Sequence, residues 1–459
     1  MMPVQEKRRE TLSSSQRRWL TAGVVLGLLM VAWEMTAVAT AMPRVVQALE
    51  GQHLYSLPFA LYLLLATVSG PLWGYMSDHY GRSRSFLTAV GVFLAAALGG
   101  ARAPSMIWFL GARALQGLSG GGIQILTMTI LAELYPLVER WRAQMVVASS
   151  WAMMSLVGPI VGGFIVDRVS WPWVFYAHVP LGLMAAAIVV RWRHDRRPAR
   201  DQSLDWVGAS VFVLSAGALI YGLQVRQWAW MLVGTVGLTV FIWVERGQAT
   251  PLVPFSALAR PLASRTTVSN FFIGICFFTL TAYLPLLVQA GRGETATRAG
   301  MLLAPTIIGW AGASIISTRL LPQLGPRRLA LWGAGAMVGG FLLWTLTLEA
   351  TLTVMAIAGL ISGAGMGSVT LPLIVSAQEE TSRETLGSVT AAMLFGRNVG
   401  GAFGSALMGA LLGSSLQHGG QGLIDAFWRV PGLAAVVSGI LVAVVRGVPA
   451  LAPRRADHS

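Results

Sequence analysis

The sequence predicts an all-α polytopic membrane protein, and three observations carry that expectation. The chain is 55% hydrophobic and only 11% charged, with a mean hydropathy of +0.64, whereas soluble domains carry about 25% charged residues. Its apolar stretches recur in runs of about 20 residues, the length a helix needs to cross a bilayer. The two halves of the chain also echo each other: segment 81–91 is repeated by 325–335, 117–133 by 363–379, and Val157-Gly158-Pro159 by Val399-Gly400-Gly401. The offsets of 244, 246 and 242 residues are nearly constant, as two parallel repeats require.

Taken in order with a window of about 19 residues, helices fall near 20–42, 55–77, 85–102, 106–134, 143–167 and 172–192. A pair follows near 205–224 and 228–245, then a second six near 267–290, 297–318, 329–347, 352–376, 387–413 and 428–446. The expected organisation is two six-helix bundles plus two inserted helices, fourteen transmembrane helices in all. The tails cover 1–19 and 447–459, the bundles 20–200 and 267–446, and the inserted helices with their linker 201–266. With this layout 24 of the 33 basic residues lie on the side of the termini and seven on the other, leaving Arg113 and Arg397 inside spans. Short loops rich in Lys and Arg stay in the cytoplasm, so both termini are expected there. The formal charge of +14 then reflects topology, and nucleic-acid binding is not expected.

The basic stretch Lys7 to Arg18 is followed by no small-residue cleavage site, so the first apolar run is expected to persist as a helix and not to be a signal peptide. Cys276 is the only cysteine, which excludes an intramolecular disulfide. The six histidines show no metal-ligand spacing, so no metal or hydrolytic site is expected.

Charges inside the apolar runs narrow the chemistry. A charged side chain at the centre of a bilayer costs at least about 2.5 kcal/mol, so it marks function by default. Glu34 stands in the first run; about 14 residues at about 1.5 Å each place it about 21 Å up, near or above the midplane and expected in a central cavity. Desolvation favours its neutral form and a cation such as Arg113 its charged form, so its state can change with the side it faces. A permanently bonded structural glutamate is the alternative. Arg113, two turns inside its span, needs a carboxylate, carbonyls or water. Arg397 lies mid-span, where it can pair with Glu34, bind an anionic ligand group or serve structure alone. In Gly158-Pro159-Ile160-Val161-Gly162-Gly163, proline kinks the helix and glycines admit a close neighbour. Between the second and third helices, Gly74, Asp78, Gly81, Arg82 and Arg84 form a tight turn in which Asp78 can meet a base or a helix N-terminus. Candidate cavity residues are Trp33, Gln124, Met153, Asn270, Phe278, Gln289 and Asn398, with Thr127, Thr129, Met154 and Phe277 beside them.

In this order the segments resemble the major facilitator superfamily and, within it, the fourteen-helix drug:proton antiporter branch. The resemblance implies the major facilitator fold. It implies that Asp78 and Arg82, with Gly74, Gly81 and Arg84, form a cytoplasmic gate latched near Gly387. Asp78 aligns with Pro322 in the second half, so the latch would be asymmetric. Arg113-Ala114-Leu115-Gln116-Gly117 looks like the family motif linked to proton coupling, and Gly158–Gly163 like the motif of antiporters. Trp171-Pro172-Trp173 through Gly182 is similar to the branch's approach to the sixth helix, with His178 where asparagine is usual, which leaves the role of that position open. Glu34, followed by Thr36, Val38, Ala41 and Pro43, fits the first-helix motif, in which aspartate is usual. The implied function is multidrug efflux: a proton-coupled antiporter that exports hydrophobic small molecules, including cations, by alternating access. It would work without a cofactor, as a monomer, in the lipid bilayer of a plasma or bacterial inner membrane. Export of one endogenous lipid or metabolite, and a non-transporting receptor or scaffold, are the alternatives.

Overall fold

The computed structural model describes residues 13–135, 139–192, 205–248, 258–382, 385–413, 415–418 and 420–449. Most of both tails and the basic run 193–200 lie outside the described residues. Among those described, twelve helices are long and apolar enough to cross a membrane, not the fourteen expected, and the chain is a multi-pass membrane protein.

The first bundle consists of α1 (Ser14–Ala48), α2 (Gln52–Tyr80), α3 (Arg82–Ala101), α4 (Met106–Leu134), α5 (Arg142–Arg168) and α6 (Pro172–Trp192). Next come α7 (Trp206–Val225) and α8 (Trp228–Glu245), then α9 (Pro261–Gly291), α10 (Ala296–Leu346), α11 (Leu352–Glu379), α12 (Leu386–Leu412) and α13 (Gly420–Arg446). Three expected runs are counted differently. The runs 297–318 and 329–347 are joined across the non-helical Gly325 in the 51-residue α10, and α12 is not among the twelve. Arg397, Asn398 and six glycines hold the mean hydropathy of α12 down.

Local chemistry sets the helix starts. Ser13 caps α1 with a reciprocal pair of bonds, its Oγ accepting from Gln16 N at 3.1 Å and its N donating to Gln16 Oε1 at 3.0 Å, a capping box. Ser105, Asp205 and Thr295 cap α4, α7 and α10 through their side-chain oxygens, the residue types favoured where first-turn amides lack partners. Gly81 ends α2 at φ 96°, ψ 150°, and its repeat partner Gly325 interrupts α10 at φ 73°, ψ 161°. Both conformations are essentially restricted to glycine, so the sequence repeat is also a repeat of backbone geometry.

Within the halves, α1 packs on α4, α5 and α6, and α9 on α11, α12 and α13. The halves meet where α5 lies against α10 and where α2 lies against α12. At the first seam a Cβ added to Gly163 would strike Ala296 O, and one added to Gly300 would strike Pro159 O. Here the Gly158–Gly163 segment brings two backbones into direct contact, as small residues do between membrane helices. Hydrogen bonds tie the halves at the end away from the termini. Asp167 accepts from Ala296 N at 3.0 Å and Thr297 N at 2.8 Å, Tyr55 Oη donates to Ala282 O at 2.7 Å, and Gln289 Nε2 to Thr40 O at 2.9 Å. The inserted hairpin leans on the α2–α12 side, with Phe212 of α7 5.2 Å from the Phe395 ring. Its outer helix α8 leaves Leu232, Val233, Val236, Val240, Ile242 and Trp243 exposed, an apolar face suited to lipid.

Candidate functional site

The site has two layers, a buried charge cluster and a cavity in front of it. The length of α1 carries Glu34 to mid-bundle, where its side chain is wholly inaccessible. It is therefore not in the central cavity as expected. Its Oε1 forms an ion pair with Arg113 of α4. Its Oε2 accepts from Gln116 Nε2 at 2.9 Å and lies 2.9 Å from His178 Nε2 on α6. Gln116 Oε1 in turn accepts from Arg113 Nη1 at 3.0 Å; residues three apart on α4 share a face, so one helix supplies both groups. His178 Nδ1 lies 2.8 Å from Phe175 O. A ring N–H donated to that carbonyl would turn the Nε2 lone pair toward the Glu34 carboxyl group. Arg113 also sits with Cζ 4.7 Å from the centre of the Tyr62 ring, over its face, a cation–π contact. The cluster is thus one acid, one guanidinium, one imidazole and one amide, without water access. Such a cluster can lose or gain a proton only at the cost of rearranging its partners.

Tyr62 joins the layers, because it also lines a cavity of about 410 Å³ at the interface of the halves. That volume suits a drug-sized molecule. The first half contributes Gln124, Trp151 and Ser155 among others, and the second Phe277, Phe278, Trp310, Arg397 and Asn398. Of the expected cavity residues, Gln124, Phe277, Phe278 and Asn398 are in the wall. Trp33 is not, since its indole N–H donates to Val174 O at 3.0 Å behind α1. Asn270 turns back to Thr266 O at 2.9 Å, and Gln289 is spent on the inter-half bond to Thr40. Met153 is exposed on α5 and lines a separate surface hollow with Arg142. Thr127 donates to Val24 O, and Thr129 to Ile125 O within its own helix. Arg397 faces the cavity and does not pair with Glu34.

At the end bearing the termini, Arg82 pairs with Asp78 and, through Nε at 3.0 Å, with Glu133 of α4. These partners all belong to the first bundle, so they clamp the α2–α3 turn onto α4. The expected reach of Asp78 and Arg82 to Gly387 is not seen, and both Gly387 and Gly74 have open space where a Cβ would stand. Arg84 is on the exposed face of the same turn. Sequence reasoning missed Gln116, His178, Tyr62, Trp151, Trp310 and Asp167. The i, i+3 spacing from Arg113 could have marked Gln116; His178 stands far from Glu34 in sequence, and no local pattern joins them.

The Major Facilitator Superfamily model matches residues 24–405. The chain is 30% identical over 411 residues to the multidrug transporter protein MdtP of Bacillus subtilis, covering 87% of this chain and 76% of that protein. It is 28% identical over 412 residues to multidrug resistance protein 3 of the same organism, covering 87% and 80%. Among solved structures, that of an auto-inhibited POT family peptide transporter superposes with a TM-score of 0.70 at 13% identity, covering 96% of this chain and 98% of that one.

Proposed function

The chain belongs to the major facilitator superfamily, and from that premise we propose that it exports hydrophobic small molecules in exchange for protons, by alternating access. The observation that carries this is the placement of Glu34 behind the cavity wall, paired with Arg113, bonded to Gln116 and 2.9 Å from His178 Nε2, with Tyr62 shared between cluster and cavity. The names of the multidrug relatives support an export role.

A proton reaching Glu34 removes the counter-ion of Arg113. The guanidinium must then find other acceptors, and its contact with the Tyr62 ring passes that change to the cavity wall. Deprotonation on the other side restores the pair. The glycine seam between α5 and α10 lets the halves slide while staying in contact. With its outer end tied by Asp167, Tyr55 and Gln289, the chain stands closed to the outside and its cavity loads from the cytoplasm.

The proposal extends to topology. A straight helix of 51 residues at about 1.5 Å per residue would be about 76 Å long, against a hydrocarbon core of about 30 Å. Broken at Gly325 it makes two crossings, and with α12 the count becomes fourteen. Both termini are then cytoplasmic, in a plasma or bacterial inner membrane, and one chain, holding both halves, suffices as a monomer. No cofactor enters the cycle, because the proton gradient drives it.

The test is Glu34→Gln in proteoliposomes. Substrate-dependent proton flux should vanish while equilibrium binding of a neutral hydrophobic dye to the cavity persists; gradient-driven transport at the wild-type rate would refute the proposal.

A further inference from the structure

The charge of the cavity points to a cargo class. Arg397 is the one charged side chain among the described residues that line it. It forms no ion pair among the described residues, and its buried Nε has no hydrogen-bond partner. Tyr62 Oη, in the facing wall, is also buried and without a partner. The amides of Asn398 and Gln124 stand in the same cavity. The acid that could attract a cation is engaged elsewhere: Glu34 is inaccessible, ion-paired with Arg113 and bonded to Gln116. Among the described residues, no carboxylate lines the cavity.

A guanidinium held in an apolar cavity with open N–H donors is costly until an anion meets it, and the charged pair is among the strongest of hydrogen bonds. The aromatic part of the wall is equally plain: Phe277 lies 5.2 Å from Phe278 and 4.9 Å from Trp310, both nearly edge-on. Resting on the efflux function proposed above, we propose that the cargo is an amphipathic organic anion. Its aromatic or aliphatic body packs among Phe277, Phe278, Trp310 and Trp151, and its carboxylate, sulfonate or phosphate accepts from Arg397, with Asn398 and Tyr62 beside it. The sign is opposite to that of the cations included among the hydrophobic cargo expected from sequence. The cavity of about 410 Å³ suits a single small anion.

The sign has an electrical consequence. One proton entering while one monoanion leaves moves two charges in the same sense, whereas exchange for a monocation moves none. An inside-negative potential therefore drives export of the anion even without a pH gradient.

The experiment uses the purified full chain in uncharged nanodiscs, reading quenching of cavity tryptophans by three probes. These are 8-anilinonaphthalene-1-sulfonate, the neutral N-phenyl-1-naphthylamine with the same rings, and tetraphenylphosphonium. The sulfonate should bind at least about tenfold tighter than the neutral probe, the scale of one charge-assisted hydrogen bond, and tighter than the cation. Arg397→Gln should erase that ratio while the neutral probe still binds, Arg397→Lys should keep part of it, and Arg397→Glu should favour the cation. Tighter binding of tetraphenylphosphonium to the wild type overturns the proposal, as does an unchanged ratio in Arg397→Gln. If Arg397→Gln binds neither probe, Arg397→Lys decides: a retained ratio supports the anion site and a lost one overturns it. These measurements need no gradient, so they can succeed where proton coupling fails, and fail where it holds.

Discussion

Glu34 and Arg113 show how one residue's environment can be guessed while its partners cannot. An acid in an apolar run demands compensation on cost alone, and Arg113 and Arg397 were both candidate cations. Which oxygen meets which donor follows only from the packing of α1, α4 and α6. Removing one member of a buried pair strands the other charge, at a cost of about 3–5 kcal/mol. Arg113→Ala should therefore lower thermal stability and abolish proton-driven efflux. The double change Glu34→Gln with Arg113→Gln should recover most of the stability and none of the transport, as read by thermal unfolding and vesicle flux. His178 offers a sharper test, because its Nε2 is 2.9 Å from Glu34 Oε2. His178→Asn should move the pH midpoint of efflux with little change in expression, and an unmoved profile would reduce His178 to packing.

At the scale of elements, the seam between α5 and α10 was legible in part. The glycines of 158–163 announce a close approach but not the helix approached; Gly163 and Gly300 against opposing carbonyls identify it. Asp167 carried no sequence signal, being one more acid near a helix end. In the structure it accepts from the first-turn amides of α10 across the halves, where a carboxylate complements unpaired donors and the helix dipole. Asp167→Asn weakens that contact by about 0.3–1 kcal/mol, up to about 2 in partly buried settings, which biases the protein toward opening outward. A cysteine placed at the cavity residue Ser155, in a Cys276→Ser background, should then react faster with an impermeant maleimide added outside. No acceleration would mean that Asp167 does not hold the outer end. The α2–α3 turn went the other way: its residues were expected to latch the halves, yet Arg82 spends its donors on Asp78 and Glu133 of its own bundle.

For the whole molecule the decisive prediction is topological. If α10 is two crossings hinged at Gly325, a cysteine at that position should be labelled only from the side of the termini. Labelling from the opposite side, or from neither, would make α10 a single crossing and rule out the count of fourteen. The class of protein, the order of its helices, its internal repeat and its charged residues within spans were determined by the sequence alone, because hydropathy, glycine geometry and the cost of buried charge act locally along the chain. Only the tertiary structure decided that Glu34 faces α4 and α6 and not the cavity, that His178 and Gln116 complete its surroundings, and that Arg397 is left facing the cavity without a counter-ion. Those facts depend on the rotation of each helix about its axis, which is set by packing against several neighbours at once and leaves no short-range mark in the sequence.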